Sequence, residues 1–369
     1  MHDRLLSGRR ILPPGVTAQT SLPDLIDQTF LAYNGGRFRE AAQLFVERVL
    51  EPEVTVGVSL AGALTPAGLG ASCVVPLIEA GFIDWIVATG ANLYHDLHFA
   101  FNCKLVAGDF RLDDTMLHDV GVVRIYDVLL SLDDCLIETD HRLRDILMED
   151  EFQKKMSTAE LHYRLGRYAA EAEEKAGLPH VSILAAAYRN EVPVYTSSPG
   201  DSTIGLELAR NRLAGYTLEL DPLEDVNETA AIVTWSKRQG RKAAAVMFGG
   251  GSPKNFVLQT VPHVNDILAV PIEGQDYFIQ FTDARPDTGG LSGATPQEAV
   301  SWGKVDPNLL PDSVVCYTDT TIAMPLLTAY AMAKHAPREP KRLYPRRREL
   351  VADLKASFDA ANARERKGN

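Results

Sequence analysis

The chain has 369 residues, a net charge of −12 and an apolar fraction of 46%, enough for a substantial core in one large domain or two small ones. No window approaches the ~18 uninterrupted apolar residues of a membrane helix, and Met1-His2-Asp3-Arg4 is not followed by a signal-like apolar stretch, so a cytoplasmic protein is expected. From Lys334 onward 11 Lys and Arg stand against 5 Asp and Glu, which leaves −18 on the rest; an acidic body favours cationic ligands such as polyamines over nucleic acid. Cys73, Cys103, Cys135 and Cys316 are scattered with no C-x-x-C pair, which suits a reducing compartment, and no cysteine-based zinc site is expected.

Residues 1–53 read as an N-terminal helical segment. Pro13-Pro14-Gly15 breaks any early helix, Ser21-Leu22-Pro23 opens an amphipathic one, and 37–50 makes a second. The β-branched run 54–60, a helix over about 66–80 and a buried strand at 85–89 form a βαβ unit, whose crossover requires parallel strands. Ligands of such sheets bind beyond the strand ends, here 61–65 and 90–96, where Gly90-Ala91-Asn92 could let a dinucleotide approach the backbone. His95 and His98 share a helical face, but no third ligand is spaced to complete a metal site and none is expected.

Residues 123–130 read as an extended arm, followed by an acid-rich helix over 133–151. Ser157 and Gly177 bound the next helix, another begins at Ser182, and 192–196 is a strand. Asp201 lies in the loop before the helix at 206–213, where it could cap that helix or touch a ligand. A helix at 224–237 precedes the buried strand 242–248, which runs into Gly249-Gly250-Gly251-Ser252-Pro253. Three glycines between a strand and a helix allow phosphates to meet bare backbone N–H groups, although this is not the G-x-G-x-x-G fingerprint. A strand at 277–282, one at 314–317 and a helix at 323–334 complete the body. The tail, 335–369, carries Arg346-Arg347-Arg348 at the start of a closing helix, read as a solvated face or one docked on an acidic neighbouring subunit. Alternating strands and helices predict an α/β doubly wound, mostly parallel, Rossmann-like sheet.

The stretch Ala299-Val300-Ser301-Trp302-Gly303-Lys304 delivers one lysine beside an indole. Desolvation penalises an ammonium ion, so Lys304 is a candidate for a nucleophilic, imine-forming amine, against the plain alternative of a lysine snorkelling from a helix end. Gly289-Gly290-Leu291-Ser292-Gly293-Ala294 followed by Glu298-Ala299-Val300-Ser301-Trp302-Gly303-Lys304 resembles the deoxyhypusine synthase family, and the similarity extends over about 54–334.

The resemblance implies that Lys304 forms a covalent imine with an aminobutyl group taken from spermidine while NAD carries the hydride. It implies further that Trp302 walls the butyl chain, that Glu298 fixes an ammonium group, and that Asn255 also faces the substrate. Cofactor contacts are expected from Thr89, Asp96, Asp201, Gly249, Gly250, Gly251, Thr282, Asp287 and Asp319. The chain departs from the family pattern in four places. His95 replaces an acid, Asn255-Phe256 replaces a pair of histidines, and Leu206 and Leu291 replace aspartates that hold the far amine. These changes point to a shifted amine substrate, with a small acceptor amine as in the homospermidine synthases of this family. A lysine of the initiation factor 5A precursor and a non-catalytic NAD-binding scaffold are the alternatives. A homotetramer of tight dimers is also implied.

Overall fold

The computed structural model describes residues 2–368. Its main sheet has six strands: β1 (Val54–Leu60), β2 (Trp85–Ala88), β3 (Val194–Thr196), β4 (Lys242–Phe248), β5 (Tyr277–Thr282) and β6 (Ser313–Tyr317). Their order is β3-β2-β1-β4-β5-β6 and every neighbouring pair is parallel. The doubly wound α/β class expected from the sequence is therefore observed. Both faces of the sheet are covered, which is why the strands read as apolar runs rather than as alternating patterns. Ile86 and Ala88 enter one core and Trp85 and Val87 the other, following the two-residue repeat of a strand. Strand order reverses between β1 and β4, so the crevice beyond their carboxyl ends is the natural ligand position.

Five helices position the residues of interest: α1 (Gly90–Ala100), α2 (Ile183–Asn190), α3 (Thr203–Leu213), α4 (Gly251–Pro262) and α5 (Pro296–Ser301). At the N-terminal end Ser21 caps the helix Leu22–Thr29 as expected, and Ile26, Phe38 and Phe45 sink into the first core. Leu343, Leu350 and Leu354 of the tail enter the second.

Three local expectations change. The helix over 66–80 is split into a short turn Thr65–Ala67, a wide turn Gly70–Val74 and a helix Val75–Glu79, because Pro66 and Pro76 each remove an N–H from the ladder. The arm is a hairpin, Val122–Ile125 against Val128–Ser131, which joins Leu105–Ala107 in a three-stranded antiparallel sheet. Of Arg346, Arg347 and Arg348 in the tail, Arg348 is exposed and the other two are not. Arg347 is buried, with Nη1 3.0 Å from Glu228 Oε2 and 3.0 Å from Ser157 Oγ, and Arg346 stacks 4.8 Å over Trp235, so the tail docks on its own body. Among the described residues no helix is long and apolar enough to cross a membrane.

Candidate active site

Lys304 owes its position to the way α5 ends. Thr295 Oγ1 accepts the Glu298 N–H at 3.2 Å to start the helix, and Gly303, at φ 66°, stops it. The Gly303 N–H bonds to Val300 O and the Lys304 N–H to Ala299 O, both at 2.9 Å, the paired closure of a helix on a left-handed glycine. A residue with a Cβ would be strained there. The turn carries Lys304 off the helix axis, and buried Val305 then bridges to Gln275.

The Lys304 Nζ donates to Asn255 Oδ1 on α4 at 3.2 Å and stands 5.6 Å from the Trp302 ring centroid. A cavity of about 300 Å³ surrounds it, lined also by Lys254, Leu291 and Glu298. Burial lowers the Lys304 pKa below the ordinary lysine value while the Glu298 charge opposes that shift, so a larger share of the amine is neutral near neutral pH than for a surface lysine. Glu298 makes no ion pair within 4.0 Å among the described residues. Its carboxylate is open to a cationic ligand.

Lys254, one turn inside α4, is a different kind of lysine. It is 2% exposed, and its Nζ donates to Gln280 Oε1 at 2.9 Å and to the carbonyls of Ala294 and Ser292 at 2.7 and 3.4 Å. Burial pushes its pKa down to about 8, but its donors are already satisfied, and it serves to pin the 292–294 loop over the cavity. The sequence gives little hint of this role. Its sole signal was a cation on an apolar helix face beside Val257 and Leu258.

The glycine loop after β4 lies at the switch point, next to Ala61 at the end of β1. Two of its N–H groups are occupied rather than bare: Gly249 donates to Phe281 O at 2.8 Å and Gly251 to Ser292 Oγ at 2.8 Å. Gly251 keeps a left-handed φ of 60° with no atom within 4 Å of where a Cβ would stand, so an incoming group can approach the backbone there.

The remaining cofactor candidates divide. Asp319 caps the helix Thr320–Lys334 through Oδ1 and is otherwise exposed. Thr282 is buried, its hydroxyl accepting from the Ala284 N–H, and Asp287 is an exposed partner of Arg285. The Thr89 hydroxyl is engaged three times: it accepts from the Asn92 N–H at 3.2 Å and from Asn92 Nδ2 at 3.0 Å, and donates to Gly62 O at 2.5 Å. Asp96 is corrected. At 1% exposure it accepts from Ser182 Oγ, Ile183 N and Leu184 N at 2.6, 2.7 and 3.0 Å, which caps α2 and leaves no face for a cofactor; burial holds its carboxyl up at about 7. Gly90 likewise serves packing, since a Cβ there would lie 2.3 Å from Ser202 Oγ.

Leu206 and Leu291 do not share a pocket within one chain. Leu291 lines the lysine cavity, whereas Leu206 lines a second cavity of about 380 Å³ with Asp201, His95, Tyr94 and Val123 of the hairpin, beyond the opposite half of the sheet. Both leucines are substantially exposed, at 61% for Leu206 and 49% for Leu291, so neither is a core filler. Asp201 is exposed and bonded only to Ser198 Oγ at 2.6 Å, and does not cap α3.

A family model described as deoxyhypusine synthase matches residues 24–331, most of the chain. The chain belongs to the deoxyhypusine synthase family. A deoxyhypusine synthase-like protein of Nostoc sp. is 55% identical over 355 residues, covering 96% of this chain and 92% of its own. A Methanosarcina acetivorans protein named "Probable deoxyhypusine synthase 2" is 36% identical over 332 residues, covering 89% and 91%. The crystal structure of a candidate deoxyhypusine synthase from Entamoeba histolytica shares the fold at a TM-score of 0.56 and 12% identity, covering 89% of this chain and 99% of that one.

Proposed function

We propose that this chain is an NAD-dependent transferase that moves an aminobutyl or related aminoalkyl group from a polyamine, through an imine on Lys304, to a small acceptor amine. The observation that carries the reading is Lys304 itself, an amine of lowered pKa held by Asn255 and Trp302 in a cavity with an unpaired Glu298. The donor loses a hydride from the carbon beside its nitrogen and becomes an iminium; the Lys304 Nζ lone pair adds to that carbon, and the bond to the departing amine breaks. The acceptor amine adds in turn and frees Lys304, after which the hydride returns to the same carbon. Bound NAD would take up and return that hydride, making the sequence redox-neutral overall. Glu298 is suited to hold the ammonium end of the fragment and Trp302 to exclude water along its methylenes.

The residues present fit a dinucleotide at the switch point. Gly251 offers open backbone and Asp319 retains a carboxylate oxygen for a hydroxyl-bearing group, while Thr89 and Asp96 are spent on the fold. In a tetramer of tight dimers, Asp201 and Leu206 of a paired copy would complete the pocket. The small-acceptor reading draws support from Phe256, which lines an apolar groove beside Trp302 where the family pattern has imidazoles.

Incubation with NAD, labelled spermidine and either a diamine or the factor 5A precursor tests the reading. Label in the diamine product is expected. Label on the precursor lysine would overturn the small-acceptor reading, and label in neither would overturn the transferase.

A further inference from the structure

Away from the lysine cavity, three metal-ligating side chains come together among the described residues. A ring nitrogen of His98 and the sulfurs of Cys103 and Cys135 lie within 4.8 Å of one another. His98 closes the last turn of α1, the Cys103 N–H bonds back to His98 O at 2.8 Å, and Cys135 sits in the turn Leu132–Ile137 that follows the hairpin. His98 and Cys135 are 0% and 1% exposed. Thr139 Oγ1 stands 2.9 Å from His98 Nδ1 and 3.4 Å from Cys103 Sγ, the place of a residue that orients ligands from behind. His98 Nε2 is buried without any partner, an unusual state for an imidazole nitrogen.

We propose that His98, Cys103 and Cys135 bind a zinc ion. Two thiolates and one imidazole form a donor set that favours zinc over the hard cations, and three protein ligands leave a fourth position for water. The placement suggests what the ion does. The three-stranded arm, Leu105–Ala107, Val122–Ile125 and Val128–Ser131, leaves the body just after Cys103 and returns just before Cys135, so the ion ties both feet of the arm to α1. Val123, Ile125 and Leu130 of that arm wall the second cavity beside Asp201 and Leu206. Zinc would thus fix the shape of that cavity, whatever reaction Lys304 performs. The pairing was invisible in the sequence because the two cysteines are far apart and no C-x-x-C marks them.

Reduced protein stripped by a chelator and titrated with cadmium(II) tests the site. The expected result is an ultraviolet thiolate-to-cadmium charge-transfer band saturating at one ion per chain, displaced by zinc, with affinity lowered at least tenfold in Cys103→Ser, Cys135→Ser and His98→Gln and unchanged in Cys316→Ala. Should the core variants fail to fold, zinc protection of Cys103 against iodoacetamide in the wild type, read by peptide mass, gives the same answer. A reduced wild type with no band and no protection would overturn the proposal, as would a band that survives in both cysteine variants. Protein recovered with a Cys103–Cys135 disulfide, and taking up no metal after reduction, would overturn it in favour of a redox pair.

Discussion

Lys304 and Lys254 lie in one cavity and are both lowered in pKa, yet they differ in what holds them. Lys254 has satisfied donors, whereas Lys304 has one amide oxygen and an aromatic face. Lys304→Ala is therefore expected to abolish transfer while leaving NAD affinity within a few-fold, measured by isothermal titration; a hundredfold loss would make Lys304 a cofactor contact. Glu298 raises the Lys304 pKa, so Glu298→Gln should lower it further and move the acid limb of imine trapping to lower pH, even as substrate affinity falls. Lys254 offers a test of sign. Folded, it releases its proton at about 8; unfolded, at ~10.4. Between those values the unfolded chain binds more protons, so this group makes stability rise with pH, and denaturant titrations of Lys254→Met should lack that rise. The same variant leaves the Ala294 carbonyl and Gln280 without a donor, at a cost of roughly 1–3 kcal/mol.

At the scale of elements, the left-handed turn at Gly303 is what converts a helix end into a lysine site. Gly303→Ala has room for its methyl but not the favoured backbone, and should cost ~1–2 kcal/mol in stability, with a larger loss in kcat because Lys304 is displaced. The parallel strands were legible as apolar runs, and the caps at Ser21, Ser157, Gly177 and Ser182 were legible from residue type alone. Other roles were set by partners distant in sequence. Asp96 caps a helix that begins at Ile183, Gly90 makes room for Ser202, and Arg347 reaches Glu228, none of which spacing could reveal. The lysine cavity was legible because its residues are nearly contiguous. The separation of Leu206 from Leu291 was not, because it depends on which half of the sheet each loop leaves.

At the scale of the molecule, the proposed tetramer is the means of bringing together two cavities that lie at opposite halves of the sheet. Light scattering showing a monomer at micromolar concentration would remove the means of completing the pocket. If the paired copies do bring Leu206 and Leu291 near one substrate, Leu206→Asp with Leu291→Asp should raise spermidine kcat/KM at least tenfold, two charge-assisted contacts being worth roughly 3–6 kcal/mol before desolvation. Their exposure means the double variant should remain folded, so an unchanged kcat/KM would count against the shifted substrate rather than against stability. Two buried pairs, Arg338 with Asp84 and Arg347 with Glu228, help to hold the tail. Arg347→Met should destabilise by ~3–5 kcal/mol at pH 8 and by less at pH 5, since the unpaired Glu228, already raised by burial, can then take up a proton.

The central claim is that Lys304 carries the transferred group. Borohydride added during turnover with NAD and spermidine, followed by peptide mass spectrometry, should place one aminobutyl adduct on the peptide containing Lys304 and none on Lys254. An adduct on Lys254, or none at all while spermidine is consumed, would contradict the account.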